Sequence, residues 1–438
     1  MKTKQALHEG WRLRFCDVGE GRRAGLPTAG PDSSWMHAVV PGDVHLDCLR
    51  ERLIPDPFVG TNTDHCLWME EKDWWYRLDF AAPIREAGQR VLLAFEGLDT
   101  FATVFLNGQE IGRHANMFTP LRLDVTDSLV PGLNRLAVCL ASWRSAVRRT
   151  DDAKVGGLPP RDRLFTRKAQ SSLGWDITPR LATCGIWREA CLLVVDALEI
   201  RRTHVRTLRL TESAAEIELS ADLVRHGPVS GPVTAEFRWG QQRATTEIAG
   251  DSAVAQMTIE APRWWWPHDH GEPFLYEYAV TVKADGQPVD IHQGRAGIRT
   301  VALEQEPLAD GGTSFCFLIN GARVFLKGMN WTPADAIYCR VDRERYRQLL
   351  TAAKTANINA LRVLGGGIYE DDAFYEICDE AGILVWHDFM FACGCYPQDE
   401  VFLAAAQRRP LAPLRERPAA NDVSQHPCPR LGSTGFAG

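Results

Sequence analysis

The segment that decides the fold of the third part of the chain is ANINALRVLGGGIYEDDAFYEICDEAGILVWHDFMF, residues 356–391. Its two apolar runs, INALRVL and ILVWHDFMF, are typical of strands that are buried on both faces of a sheet. Between them, residues 371–381 predict a helix that ends at Gly382. Strands that alternate with helices indicate a parallel sheet.

The preceding sequence extends the same alternation. Residues 342–356 carry an amphipathic helical stripe, for which Asp342 is the predicted N-cap. This stripe consists of Tyr346, Leu349, Leu350 and Ala353. Another strand comes before that helix, so residues 304–403 are predicted to form the first three strands of a (β/α)8 TIM barrel.

Polar side chains stand where these strands end. Asn330, Trp331 and Asp335 follow the first strand, Arg362 lies on the second and Asp388 ends the third. Sites of such barrels form at the carboxyl ends of the strands, so these five residues are candidates for binding a substrate.

The sequence before the third part indicates two β-rich blocks, and helical periodicity is absent from about residue 8 to 195. Residues 1–195 contain short alternating runs that predict a β-sandwich, with a type I′ hairpin turn at Asn107-Gly108. Residues 196–303 form a second β-rich block of the size of an immunoglobulin-like sandwich.

The last segment, residues 404–438, has five prolines between Pro410 and Pro429 and is predicted to be an irregular, disordered tail. A complete barrel needs about 250 residues, whereas 119 remain from Asn320 onward. The corresponding hypothesis is that a frameshift or a truncation after Val401 replaced the barrel sequence.

Composition excludes several classes of protein. The 438 residues have a net charge of −7, and without a basic block no nucleic-acid partner is expected. The amino terminus has no apolar run, so neither a secretory signal nor a membrane span is expected. Twelve cysteines without paired spacing favour reduced thiols and a cytoplasmic location.

No metal or cofactor is predicted. Cys393 and Cys395 form a C-x-C pair that could bind a metal with Cys378, but structural zinc sites prefer C-x2-C pairs, and buried free thiols are the favoured interpretation. His268 and His270 have no third ligand nearby. The triple glycine at 365–367 lacks the residues of a phosphate loop.

Four segments carry a family resemblance. They are VPGDVHLDCLRERLIPDPFVGTNTDHCLWMEEKDWWYRLDF (40–80), RKAQSSLGWDITPRLATCGIWR (167–188), LKGMNWTPADAIYCR (326–340) and LRVLGGGIYEDDAFYEICDEAGILVWHDFMFACGCYP (361–397). Together they resemble the β-mannosidase branch of the glycoside hydrolase family that also contains β-galactosidases and β-glucuronidases. The resemblance extends over residues 11–403.

The resemblance implies a jelly-roll sandwich, an immunoglobulin-like sandwich and a TIM barrel whose pocket is capped by a loop of the first domain. In that loop, Trp175 and Asp176 would reach the sugar. Trp offers an apolar face to ring C–H groups, and Asp accepts two hydroxyl hydrogen bonds. The implied substrate is a β-mannoside or an oligosaccharide with terminal, non-reducing β-D-mannose.

The sequence departs from the family pattern in two ways. Leu364 stands where the family has a Trp that lines the sugar subsite. The two catalytic Glu residues expected from the family, the first in an NNE signature, are missing, so no catalytic residue is assigned and the chain is expected to be inactive alone. Asp388 is the best remaining site carboxylate, whereas Glu370, Asp371 and Asp372 are interpreted as helix-capping residues.

Several alternatives stay open at this point. Asp335 and Arg362 could form a structural ion pair. The segment RWWWPHDHG, residues 263–271, is either an exposed sugar platform or, as favoured, interdomain packing. The chain could also be a non-catalytic carbohydrate-binding protein, a relative of β-glucuronidases or β-galactosidases, or half of an enzyme that a barrel-completing chain supplements.

Overall fold

The computed structural model describes residues 2–30, 32–147, 155–157, 159–175 and 178–407. Its first β-rich block contains the strands β1 (Thr3–Ala6), β2 (Arg12–Asp17), β3 (Met36–His37), β4 (Lys72–Ala81), β5 (Arg90–Phe95), β6 (Ala102–Leu106), β7 (Gln109–His114), β8 (Leu121–Asp124), β9 (Leu133–Leu140), β10 (Gly156–Gly157), β11 (Leu173–Trp175), β12 (Thr178–Arg180) and β13 (Ala190–Val195). Its α-helices are α1 (Glu20–Arg23), α2 (Val44–Arg50) and α3 (Trp143–Ala146), and its 3-10 helices are Asn62–Glu71, Arg161–Phe165 and Gln170–Ser172.

The first block is a sandwich of two antiparallel sheets, as predicted. One sheet has the order β1-β13-β5-β8 and the other the order β3-β2-β4-β9-β6-β7. Trp11, Trp74 and Phe95 are at most 1% exposed in the core. The hairpin turn at Asn107-Gly108 has the two positive φ angles, 52° and 83°, that a type I′ turn requires, so this prediction is confirmed.

The second block contains β14 (Leu198–Leu210), β15 (Ala214–Arg225), β16 (Val233–Trp239), β17 (Gln242–Glu247), β18 (Ser252–Glu260), β19 (Tyr276–Ala284) and β20 (Gln287–Ala296). They form two antiparallel sheets, of order β14-β15-β18 and β17-β16-β19-β20. In β18, buried and exposed residues alternate strictly, which is the pattern of a strand with one face on a core.

The third part contains β21 (Val301–Glu304), β22 (Cys316–Ile319), β23 (Ala322–Val324), β24 (Gly328–Trp331), β25 (Ala360–Val363), β26 (Leu384–His387) and β27 (Gly394–Cys395), the helices α4 (Arg343–Thr355), α5 (Asp372–Ala381) and α6 (Glu400–Gln407), and the 3-10 helix Tyr338–Arg340. β24, β25 and β26 pair in parallel in this order. The predicted order of strand, helix, strand, helix and strand is therefore confirmed.

The helix ends follow the predicted capping chemistry. The carboxylate of Asp342 accepts a hydrogen bond from Arg345 N at 2.8 Å, and that of Asp371 accepts one from Ala373 N at 2.9 Å. Gly382 ends α5 with a left-handed φ of 72°. The third strand ends at His387, whereas the apolar run that predicted it continues to Phe391, because Phe389–Phe391 turn back toward the glycine loop.

The prediction that the chain is irregular from residue 404 is wrong for residues 404–407, which belong to α6. Asp399 starts this helix by accepting hydrogen bonds from Val401 N and Phe402 N, each at 3.1 Å. Three consecutive alanines favour the helix before the first proline. The proline-rich remainder of the predicted tail, residues 408–438, lies outside the described residues.

The tryptophan-rich segment joins the second block to the third part. Trp265 is fully buried, and its Nε1 donates to Asp379 O at 2.9 Å. His268 N donates to Gly382 O at 3.0 Å, and His268 Nε2 lies 2.8 Å from Ile358 O. The favoured interpretation as interdomain packing is thus confirmed. Among the described helices, none has the length and apolar character needed to cross a bilayer.

Candidate functional site

The strand register places three candidate side chains in one row across the parallel sheet. Asn330 pairs with Arg362, and Arg362 pairs with Trp386. Residues in register on parallel strands point to the same face of the sheet. Asn330 and Arg362 are exposed and Trp386 is partly exposed, so this face is open. Trp386 was not among the residues predicted from the sequence, although its spacing of two residues before Asp388 could have indicated the same strand end.

Arg362 and Asp388 form a two-point ion pair at the carboxyl ends of β25 and β26. Arg362 Nη2 lies 2.8 Å from Asp388 Oδ2, and Nε lies 3.2 Å from Oδ1. Asp388 Oδ2 also accepts a hydrogen bond from Gly365 N at 3.3 Å. The alternative pairing of Arg362 with Asp335 is wrong, because Asp335 pairs with Arg340 at 3.3 Å and caps Ile337 N at 2.8 Å.

The glycine loop after β25 and the loop after β26 touch through their backbones. A Cβ added to Gly365 would lie 2.3 Å from Phe391 O and 2.6 Å from Phe389 O. Gly367 has Pro333 as its nearest neighbour, at 3.0 Å from such a Cβ. Glycine is therefore required at 365 for the close packing of these two loops.

Loops of the first block contact the segments that follow β24 and β25. Ser171 N donates to Gly366 O at 2.8 Å, next to the β25 end. Ser171 Oγ lies 3.1 Å from the hydroxyl of Tyr338, which follows β24. Arg188 Nη2 donates to Tyr369 O at 2.6 Å. The first block thus contacts the loops beside the open face where the candidate residues meet.

Two buried arginines of the first block hold the loop after β26. Arg167 Nη1 donates to Met390 O at 2.8 Å, and its Cζ lies 4.5 Å from the ring centroid of Phe391. Arg163 donates to Ala392 O at 2.9 Å and to Cys393 O at 3.0 Å. Neither arginine was predicted from the sequence, because a contact between distant segments leaves no local pattern.

Trp331 does not share the open face with Arg362. It is 8% exposed and packs on Phe374, with ring centroids 4.8 Å apart. Its Nε1 donates to Glu370 Oε1 at 2.8 Å. Because neighbouring residues of a strand point to opposite faces, Trp331 is directed to the helices while Asn330 is directed to the open side. The candidate role of Trp331 in binding a substrate is therefore corrected to core packing.

Glu370 is a buried carboxyl group and not a helix cap. It is 4% exposed and accepts hydrogen bonds from Trp331 Nε1 and, at 2.5 Å, from the hydroxyl of Tyr346. Burial raises the pKa of Glu370 to about 7, which the two donors partly oppose. Of the three acidic residues interpreted as capping, Asp371 caps α5, Asp372 lies in its first turn and Glu370 lies outside the helix.

His387 connects the end of β26 to α5. Its Nε2 lies 2.9 Å from the hydroxyl of Tyr375, and its Nδ1 lies 2.7 Å from Asp388 O. Burial lowers the pKa of His387 to about 4, so the ring is neutral at pH 7. A neutral His387 supports the backbone at Asp388 without adding a charge beside the ion pair.

The first-block loop brings Trp175 to this site. Its ring lies 4.0 Å from the position of a Cβ on Gly366, and the guanidinium carbon of Arg163 lies 5.0 Å from its ring centroid. Asp176, the other candidate of this loop, lies outside the described residues. Trp175, Asn330, Arg362 and Asp388 are thus the sequence candidates that the structure places around the strand ends.

Comparison with known proteins agrees with this architecture. Residues 20–188 match the family described as glycosyl hydrolase 2 galactose-binding domain-like, and residues 198–299 match glycosyl hydrolases family 2. A β-mannosidase B from Thermothelomyces thermophilus is 38% identical over 92% of this chain and 47% of its own length. Another β-mannosidase B, from Aspergillus terreus, is 36% identical over 94% of this chain and 48% of its own length.

The solved structures extend the likeness to the third part. A crystal structure of the β-D-mannosidase from Dictyoglomus thermophilum matches with a TM-score of 0.86 and 38% identity, over 95% of this chain and 51% of that chain. The exo-chitosanase of Amycolatopsis orientalis matches with a TM-score of 0.72 at 19% identity, over 95% of this chain and 48% of that chain, and shows the same fold.

The fold and the matched domains define the class: the chain carries the amino-terminal domains of glycosyl hydrolases family 2. Within that class, its sequence and structure are similar to those of the β-mannosidases named above. The chain spans about half the length of the curated relatives it matches.

Proposed function

We propose that this chain provides the mannose-recognising part of a β-mannosidase-type glycoside hydrolase, which releases terminal, non-reducing β-D-mannose. The observation that carries the proposal is the contact of the first-block loops with the segments that follow β24, β25 and β26, around Arg362 and Asp388. The 38% identity to a β-mannosidase of known structure supports the same class of substrate.

The proposed subsite combines apolar and polar contacts to one sugar. Trp175 offers a ring face to the sugar C–H groups. Arg362 and Asn330 supply N–H donors, and Asp388 supplies acceptors for hydroxyl groups. Asp176 belongs to this subsite on the basis of the sequence resemblance.

We further propose that β24, β25 and β26 are the first strands of a (β/α)8 TIM barrel, preceded by sandwiches at residues 1–195 and 196–303. Retaining hydrolysis needs two carboxyl groups about 5–5.5 Å apart. Among the described carboxylates that follow the strands, Asp335 is paired with Arg340, Asp388 is paired with Arg362, and Glu370 points to the helices. Both reactive carboxylates would come from additional barrel sequence, for instance on a barrel-completing chain.

A reducing, cytoplasmic location is also part of the proposal. No disulfide joins any of the eleven cysteines in the described ranges. Cys378 is buried, whereas Cys393 and Cys395 are exposed beside the strand-end loops. Free thiols at exposed positions are maintained in a reducing compartment.

The experiment compares binding with hydrolysis. Saturation-transfer NMR measures binding of methyl β-D-mannopyranoside to the purified chain, with methyl β-D-galactopyranoside as the control. Chromogenic β-mannoside, β-glucuronide and β-galactoside are assayed beside a heat-denatured sample. Selective mannoside binding without turnover is expected. Turnover by the chain alone would overturn the assignment of the carboxylates, and a lack of selective binding would overturn the subsite.

A second candidate function is non-catalytic carbohydrate binding by the two sandwiches. Each sandwich has its own buried core, which favours independent folding. The variant Asp388→Asn separates the two functions. It weakens binding if the sugar lies at the strand ends, and it leaves binding unchanged if the sugar lies on a sandwich.

A further inference from the structure

We propose that Arg163 is a positioning residue of the sugar subsite, which fixes the ring of Trp175 and the loop after β26 in one arrangement. The inference rests on the proposed function, because it takes Trp175 as the surface on which the sugar stacks. Nothing in the local sequence around Arg163 distinguishes it from a surface arginine, yet its side chain is 0% exposed.

The guanidinium of Arg163 contacts three segments at once. Its Nη1 donates to Gln170 Oε1 at 2.7 Å and to Ala392 O at 2.9 Å. Its Nη2 donates to Cys393 O at 3.0 Å. Its Cζ lies 5.0 Å from the ring centroid of Trp175, within the range of a cation–π contact.

The planar group suits this task better than an ammonium group would. A guanidinium presents several N–H donors in a fixed fork while its face remains free to stack on an aromatic ring. The adjacent carbonyl groups of Ala392 and Cys393 receive one donor each. A lysine at this position cannot make both carbonyl contacts and the ring contact in the same geometry.

The loop that Arg163 contacts at Ala392 and Cys393 begins at Asp388. Next to the Arg163 contacts, β10 pairs with β27, so that Gly156 faces Cys395 and Gly157 faces Gly394. A Cβ on Gly157 would lie 2.4 Å from Cys393 O, so the two backbones are in close contact. Arg163 therefore couples the position of Trp175 to the loop that carries the site carboxylate.

The first measurement is ¹⁹F NMR of the chain labelled with 5-fluorotryptophan. The variant Trp175→Phe identifies the resonance of Trp175 by its loss. Arg163→Lys is expected to shift that resonance more than any other tryptophan signal. The matched control is Arg299→Lys, because the Arg299 guanidinium lies 5.7 Å from the ring centroid of Trp265. This control is expected to leave the Trp175 resonance in place.

The second measurement is the dissociation constant of methyl β-D-mannopyranoside. Arg163→Lys is expected to weaken binding by about tenfold, whereas Arg299→Lys keeps the wild-type value. If Arg163→Lys does not fold, Gln170→Leu removes the side-chain acceptor of Arg163 and is expected to shift the Trp175 resonance in the same way.

The two measurements separate this inference from the proposed function. A wild-type chain that fails to bind the mannoside contradicts the proposed function, while the ¹⁹F spectra still test the coupling to Trp175. An unchanged Trp175 resonance in a folded Arg163→Lys variant overturns the positioning role, and so does wild-type affinity in that variant.

Discussion

Arg362 and Asp388 face each other across two neighbouring parallel strands, with Arg362 Nη2 at 2.8 Å from Asp388 Oδ2. The Arg362 side chain is 50% exposed, so water screens the pair and the pair contributes about 1 kcal/mol or less to stability. A pair that adds so little to the fold still orients both groups toward the open face of the sheet. This orientation favours recognition of a polar ligand over a purely structural role.

The first prediction concerns the charge of Asp388. Asp388→Asn is expected to lower the affinity for methyl β-D-mannopyranoside by about tenfold, since a hydrogen bond to a charged group is stronger than one to a neutral group. The urea midpoint is expected to stay near the wild-type value. The matched control is Asp222→Asn, which breaks the partly buried pair with Arg202 in the second sandwich. Wild-type affinity in Asp388→Asn would contradict the subsite.

The second prediction tests the contact between the two strand-end loops. Gly365→Ala places a Cβ within 2.6 Å of two backbone oxygen atoms and is expected to destabilise the third part by about 1–3 kcal/mol. Gly366→Ala is the control, because its Cβ would meet Ala392 Cβ at an ordinary 3.6 Å. Urea unfolding of both variants measures the difference. Equal stability of the two variants would show that the loops separate easily.

Local patterns predicted the parallel strands and their helix caps. The apolar runs at β25 and β26, the carboxylates of Asp342 and Asp371 and the left-handed Gly382 act within a few residues of each other, so they are readable from the sequence. The length of β26 was overestimated, because the apolar residues Phe389–Phe391 continue the hydrophobic run while their backbone leaves the sheet.

Contacts between distant segments were beyond local patterns. Arg163 and Arg167 contact residues more than 220 positions away, and only the folded chain brings these segments together. Trp331 was misjudged for a different reason. Neighbouring residues of a strand point to opposite faces of the sheet. The sequence alone does not determine whether Asn330 or Trp331 points to the open side.

The third prediction is a pH dependence that arises from Glu370. Burial raises its pKa from an ordinary 4.5 to about 7, so the folded chain binds the proton more tightly than the unfolded chain does. The stabilisation from protonated Glu370 is therefore complete below pH 4.5 and is lost as the pH rises toward 7, by about 3 kcal/mol at most. Glu370→Gln stays neutral throughout and is expected to lack this loss.

The measurement is the difference in urea midpoint between wild type and Glu370→Gln at pH 5, 6 and 7. His387 acts with the opposite sign, because its lowered pKa makes stability fall with decreasing pH, but this contribution cancels in the difference. Asp47→Asn in the first sandwich is expected to show a pH-dependent difference of the same sign, because burial raises the pKa of Asp47 to about 6. A difference that does not change with pH would contradict the assigned ionisation of Glu370.

The fourth prediction concerns Leu364, which stands beside the Arg362–Asp388 pair where the resembling family has Trp. Leu364 is partly exposed, and its N donates to Trp331 O at 3.2 Å, so the backbone at this position is fixed by the neighbouring strand. Leu364→Trp adds an aromatic face to the subsite and is expected to tighten binding of methyl β-D-mannopyranoside by about fivefold or more.

Leu364→Ala is the control, which removes bulk without adding a ring and is expected to leave the affinity within about twofold of wild type. Titration by NMR measures both values. If Leu364→Trp folds and binds no more tightly than Leu364→Ala, position 364 does not line the sugar subsite, and the resemblance of this loop to the family would be structural only.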